Sequence, residues 1–156
     1  MEQEVSLIQM LDARERRVWH QQELLEAYGK PLVCFTMNIA GPVKDSPLIR
    51  RGFARGRQLL ERQFLRCGIK PLKIDLSKAV TGPLTIKKLT TLVEDASPLG
   101  RLFDMDVLRP DGKKVDREEL HLEGRKCLIC GGPAKVCSSR RVHPVAELQA
   151  RTTAIL

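Results

Sequence analysis

The stretch GRLFDMDVL, residues 100–108, sets Leu102, Phe103, Met105, Val107 and Leu108 around two acids, Asp104 and Asp106. Side chains alternate along a strand, so Phe103, Met105 and Val107 share one face and the two aspartates share the other. Aspartate is a poor strand former, and an unpaired buried carboxylate is costly. The apolar face can therefore lie on helices, while the acid face needs solvent, cations or a metal. These residues predict a strand with a packed side and a chemical side.

Working outward, KKLTTLVEDAS (87–97) reads as a helix leading into this strand, and RPDGKK (109–114) as a turn leading to a return strand. Upstream, TGPLTIK (81–87) and IKPLKIDL (69–76) read as short strands. Ser46-Pro47 opens a helix that runs to about Arg66, with Leu48, Ile49, Phe53, Leu59, Leu60 and Phe64 as its apolar set. PLVCFTMNI (31–39) reads as a buried strand, and residues 5–27 as a long helix presenting Leu7, Met10, Leu11, Val18 and Leu25. The central order of strand, helix, strand, strand, helix, strand predicts an α+β fold of the split βαβ kind. Its sheet is antiparallel or mixed, with helices on one face. Residues 1–124 would form this domain, and a Cys-rich segment with a short helix, residues 125–156, would pack on it.

At 156 residues the chain is long enough for a self-sufficient core. Lys and Arg number 27 against 19 Asp and Glu, a formal charge of +8 that either serves solubility or attracts an anionic partner. Only six residues are aromatic (four Phe, one Tyr, one Trp), which argues against base stacking on single-stranded nucleic acid. The start of the chain lacks the charged-then-apolar layout of a signal peptide, and no apolar run approaches a bilayer span. Five cysteines then point to thiols or metal ligands rather than disulfides, and to the cytoplasm.

Three constellations carry chemistry. Asp104 and Asp106 lie close enough to share a hard cation such as Mg²⁺, which supports phosphoryl transfer; the alternative is a solvated face, or pairing with Arg101 or Arg109. GPVKDSPLIRRGFARGR (41–57) gathers Lys44, Arg50, Arg51, Arg55 and Arg57 around a loop and a helix start, where phosphate is attracted; an exposed basic face is the plainer reading. CLICGGPAKVCSSRRVH (127–143) spaces Cys127, Cys130, Cys137 and His143 as a Cys₃His zinc set, with a redox pair or simple reduced thiols as alternatives. Cys34 and Cys67 read as buried small apolar residues, and His20 and His121 carry no assigned role.

FTMNIAGPVKDSPLIRRGF, SPLGRLFDMDVLRPDG and RKCLICGGPAKVCSSRRVH, in this order, resemble the apo-citrate lyase phosphoribosyl-dephospho-CoA transferases, also called holo-citrate lyase synthases. The resemblance implies a nucleotidyltransferase-like reaction. Triphosphoribosyl-dephospho-CoA is joined to a serine of the acyl-carrier (gamma) subunit of apo-citrate lyase, and pyrophosphate leaves. In that setting Asp104 and Asp106 would hold Mg²⁺. Lys44, Ser46, Arg50, Arg51 and Arg101 would bind the donor, and Asp45 would orient the loop or assist the serine hydroxyl. Neither a membrane nor a nucleic acid is expected as partner. Rival readings are a zinc-stabilised binding module for RNA or an acidic protein, and a related transferase for another carrier such as a malonate decarboxylase subunit.

Overall fold

The computed structural model describes residues 3–70 and 82–156. A short strand β1 (Gln3–Glu4) precedes helix α1 (Leu7–Tyr28), followed by β2 (Leu32–Met37), β3 (Val43–Asp45) and helix α2 (Pro47–Arg66). Helix α3 (Pro83–Asp95), a 3₁₀ turn (Leu99–Leu102) and strand β4 (Phe103–Leu108) complete the centre. Helices α4 (Ala134–Ser139) and α5 (Val145–Ile155) close the chain. Strand β2 pairs antiparallel with β4, and β1 with β3, so the fold is α+β with antiparallel pairing.

The register of β2 on β4 sets Phe35 opposite Met105, Met37 opposite Phe103 and Val33 opposite Val107. These six side chains form one face. Phe103, Met105 and Val107 are fully buried against Leu60 and Phe64 of α2 and Ile86, Leu89 and Val93 of α3. Each such side chain contributes about 1.5–3 kcal/mol by leaving water. Phe35 anchors the layer, stacking on Phe53 at 4.5 Å and meeting Phe103 edge-on at 5.2 Å. Helix α2 approaches this closely because Gly56 has no Cβ: one built there would lie 2.5 Å from Phe35 and 2.7 Å from Phe103. Gly100 is constrained still more, since its Cβ would meet the Val93 and Glu94 carbonyl oxygens at 2.6 Å.

Several sequence expectations hold. Ser46 caps α2, its Oγ accepting from the Ile49 N–H at 3.2 Å, and Pro47 takes the first helical position. The turn at 109–114 forms, with Gly112 at φ +81°, and returns the chain so that the Val115 N–H donates to the Val107 carbonyl at 2.9 Å.

Other expectations need correction. Of the 81–87 strand expectation, residue 81 lies outside the described residues, and 82–87 do not make a strand: Gly82 is the cap and Pro83 opens α3, because proline's fixed φ suits the first helical turn. Most of the 69–76 strand expectation lies outside the described residues, although Ile69 joins the core. Cys67 is exposed at the end of α2 rather than buried. Helix α1 is capped at both ends, by the Ser6–Gln9 capping box and by Gly29 at φ +58°. Among its residues only Leu25 is buried, while Leu7, Leu11 and Val18 face outward.

Candidate active site and metal centre

Asp104 and Asp106 project from the face of β4 opposite the core, beside Thr36 and Cys34 of β2, their partners in the ladder. Both carboxylates are partly exposed, and each already faces a cation. Arg125 stands 3.6 Å from Asp104, and Lys114 stands 2.6 Å from Asp106. Burial works to lower the Lys114 ammonium, but Asp106 beside it outweighs that and holds the group above its ordinary range. The donor set, two carboxylates open to water on one face, is the kind a hard divalent ion accepts. Binding one there would compete with Lys114 for Asp106.

Behind this strand lies a set of charges that sequence reasoning did not single out. Among the described residues β4 has β2 along one edge, and along the other the Val115 N–H and several side chains meet its backbone. The buried Glu94 accepts from the Met105 N–H at 2.7 Å, and Lys87 Nζ donates to the Met105 carbonyl at 3.0 Å. Arg125 donates to the Phe103 carbonyl. Arg117 then joins Glu94 at 2.6 Å and Asp95 at 2.9 Å, and Arg101 lies 3.5 Å from Asp95. Arg125 also stands 3.5 Å from Glu94, so a chain of ion pairs runs from Arg101 through Asp95, Arg117, Glu94 and Arg125 to Asp104. The available signal was Lys87 and Glu94, seven residues apart on the side of α3 that carries Ile86, Thr90 and Val93. A charge on an apolar helix face implies a buried partner.

The loop and start of α2 are arranged differently from the acid strand. Lys44 and Asp45 lie on β3, in the other strand pair. Lys44 Nζ donates to the Ile39 carbonyl, and burial lowers its pKa. Asp45 accepts two hydrogen bonds from Arg50, at 2.7 and 2.5 Å, and these hold its carboxyl below the usual range. Ser46 is committed to the helix cap. Arg51 is exposed. The charge chain ties Arg101 to the acids, whereas Lys44, Asp45 and Arg50 bond locally.

The C-terminal segment forms the second centre. One ligand atom each from Cys127, Cys130, Cys137 and His143 lies within 4.8 Å of the others. The Cys130 and Cys137 sulfurs are 3.6 Å apart, near the roughly 3.8 Å edge of a tetrahedron built on 2.3 Å zinc–sulfur bonds. Gly131 at φ +71° makes the tight turn after the C-x-x-C pair. His143 Nδ1 faces Glu147 at 3.6 Å, while Nε2 is buried with no hydrogen-bond partner. An orphaned ring nitrogen whose opposite nitrogen meets a carboxylate is the arrangement of a metal-bound histidine. The Gly132 backbone N–H, and then the neighbouring His143 and Cys137 side chains, bring the Cys130 thiol down to about 6; proximity to Cys130 pushes Cys137 up to about 11. One thiolate is thus available at neutral pH. This Cys₃His group could hold a metal, and its donors fit a tetrahedral ion.

The fold and these two centres define an α+β protein with an acid-bearing strand and a metal-competent Cys₃His tail, a layout suited to phosphoryl-type transfer. A profile of the apo-citrate lyase phosphoribosyl-dephospho-CoA transferase family matches residues 5–156, and the chain belongs to that family of transferases. It is 34% identical over 162 residues to the Shigella boydii protein of that name, covering 97% of this chain and 88% of the relative. An Escherichia coli protein of the same name matches to the same extent. A Haemophilus influenzae protein named CitXG is 33% identical over 92% of this chain, which spans only 33% of that longer relative.

Proposed function

We propose that this protein transfers the phosphoribosyl-dephospho-CoA group from its triphosphorylated donor to a serine of the acyl-carrier subunit of apo-citrate lyase. The observation that carries the chemistry is the pair Asp104 and Asp106 on the open face of β4, flanked by Arg125 and Lys114. The serine Oγ attacks the phosphorus bearing the ribose, an O–P bond forms, the P–O bond to pyrophosphate breaks, and the serine proton passes to a base. Bound between Asp104 and Asp106, Mg²⁺ would neutralise charge developing on the phosphate. Arg125 faces Asp104 and would hold it in place, and Lys114, paired with Asp106, would compete with a bound cation for that carboxylate. The printed names of the relatives support the donor and acceptor classes.

Cys127, Cys130, Cys137 and His143 hold a structural zinc ion, which fits the tetrahedral geometry and the unpartnered His143 Nε2. The reaction belongs to the cytoplasm. Among the described residues no helix is long and apolar enough to cross a membrane.

The test is the intact mass of apo-carrier after incubation with this protein, donor and Mg²⁺. The expected gain equals donor minus pyrophosphate, and it vanishes with EDTA added to zinc-loaded enzyme whose zinc content is unchanged. Asp104→Asn and Asp106→Asn each lower the rate by about a hundredfold or more, the equivalent of several kcal/mol. No gain with folded protein and verified donor would overturn the reading. A gain on a malonate decarboxylase carrier instead would reassign the acceptor.

A further inference from the structure

A cavity of about 450 Å³ lies between the Asn38–Gly41 loop, the 3₁₀ turn and the C-terminal segment. Among the described residues, Arg101, Arg125, Lys126 and Arg141 line it, and no carboxylate does. Two of these guanidiniums are held by backbone: Arg101 donates to the Lys126 carbonyl and Arg125 to the Phe103 carbonyl. Arg101 also lies 3.5 Å from Asp95, and Arg125 3.5 Å from Glu94 and 3.6 Å from Asp104, so both guanidiniums are set in place before a ligand arrives, while Arg141 is exposed. Leu128, Val145 and Leu148 supply an apolar wall. A concave site with apolar walls and a few fixed charges is the usual form of a small-molecule pocket.

The geometry points to a binding pocket for a phosphorylated, nucleotide-like ligand. Its phosphates meet Arg101, Arg125 and Arg141, and its apolar part lies on Leu128, Val145 and Leu148. Arg125 is shared with Asp104, so a ligand here is joined directly to the acid strand through one side chain. Lys44 and Arg50 of the basic loop bond within that loop, to Ile39 and Asp45, and do not line this cavity. The inference rests on the proposed transfer reaction only for the identity of the ligand, the triphosphorylated donor. The pocket's preference for phosphate stands on its own residues.

Titration calorimetry on the zinc-loaded full chain tests this, with sodium tripolyphosphate and dephospho-CoA as probes. Both bind. Arg141→Ala, at an exposed position, weakens tripolyphosphate about tenfold or more, the scale of one charged hydrogen bond, and Arg101→Gln does likewise. Val145→Trp crowds the apolar wall and weakens dephospho-CoA about tenfold while leaving tripolyphosphate within about twofold. Unchanged zinc content and circular dichroism show that each variant is folded. Tripolyphosphate binding that survives both arginine substitutions but is lost in Arg51→Ala places the phosphates on α2 and overturns the inference. Carrier modification by wild-type protein together with indifference to Arg101→Gln and Arg141→Ala overturns the pocket alone. Pocket binding without carrier modification overturns the transfer reading alone.

Discussion

Asp45 shows how one side chain can look catalytic in sequence and be occupied in the fold. Its carboxylate takes both arms of Arg50, and that pairing holds its pKa below the ordinary value of 3.8. A depressed carboxylate contributes stability that is fully present above the unfolded value and is lost as pH falls through the folded one. Because the pair is exposed, this contribution is small. An NMR titration of Arg50→Ala is expected to return Asp45 to its ordinary value; an unmoved titration would deny the pairing. The thiols offer a second residue-scale test. Burial pushes the Cys34 thiol up, whereas Cys67 is exposed. With metal on the Cys₃His group, an alkylating reagent at pH 7 should modify Cys67 first and Cys34 slowly. Fast loss of a second thiol in the zinc-loaded protein would contradict this assignment.

At the scale of elements, β4 explains itself. Its inner face is a packing surface, its outer face is the acid face, and among the described residues Glu94, Lys87, Arg125 and the Val115 N–H close its other edge. Removing Glu94 leaves the Met105 N–H without its acceptor in a buried place, and takes from the Arg117 guanidinium its buried partner, leaving it Asp95. Glu94→Ala is therefore expected to cost about 3–5 kcal/mol, read as a lower urea midpoint. Glu94→Gln, which can still accept from Met105, should cost less. The α2–sheet contact is equally specific. Gly56→Ala must push aside Phe35 and Phe103, two rings already packed against each other, at a cost of about 1–3 kcal/mol. A neutral Gly56→Ala would mean that α2 stands farther from the sheet.

At the scale of the whole molecule, the C-terminal segment forms one wall of the cavity, and its own conformation rests on a small Cys₃His cluster. Zinc-finger peptides draw about 10–16 kcal/mol of folding free energy from such a site. Stripping metal from this protein should therefore lower its Tm, and expose the region 125–145 to proteolysis before the β2–β4 core. Atomic emission should find one zinc per chain, lost in Cys130→Ser. Equal protease resistance with and without chelator would remove the structural role of the metal.

Much of this architecture could be read from the residues in order. Period-two alternation at 103–107, Ser46-Pro47 at a helix start, Gly112 in a turn and the Cys/His spacing all report local geometry. Local geometry is set by backbone preferences and side-chain periodicity. Where local signals misled, a longer-range fact was decisive. TGPLTIK is rich enough in β-branched residues to suggest a strand, but Pro83 after Gly82 starts a helix whose apolar face then packs on β4. The apolar residues of α1 have helical spacing, yet spacing states only that they can share a face and not that anything covers it. Asp104 and Asp106 were legible as an exposed pair; their partners Arg125 and Lys114 were not, because contact between residues far apart in sequence depends on how the chain returns. The sequence by itself determined the helices, the paired acid strand, the cysteine–histidine set and the family. Only the tertiary structure decided that Arg125 faces Asp104 and Lys114 faces Asp106, while Lys44 and Arg50 bond within their own loop. Charge pairing acts through space, and folding brought Arg125 to Glu94 and Asp104 and Arg101 to Asp95, while Asp45 engaged Arg50 and the Ile39 carbonyl engaged Lys44.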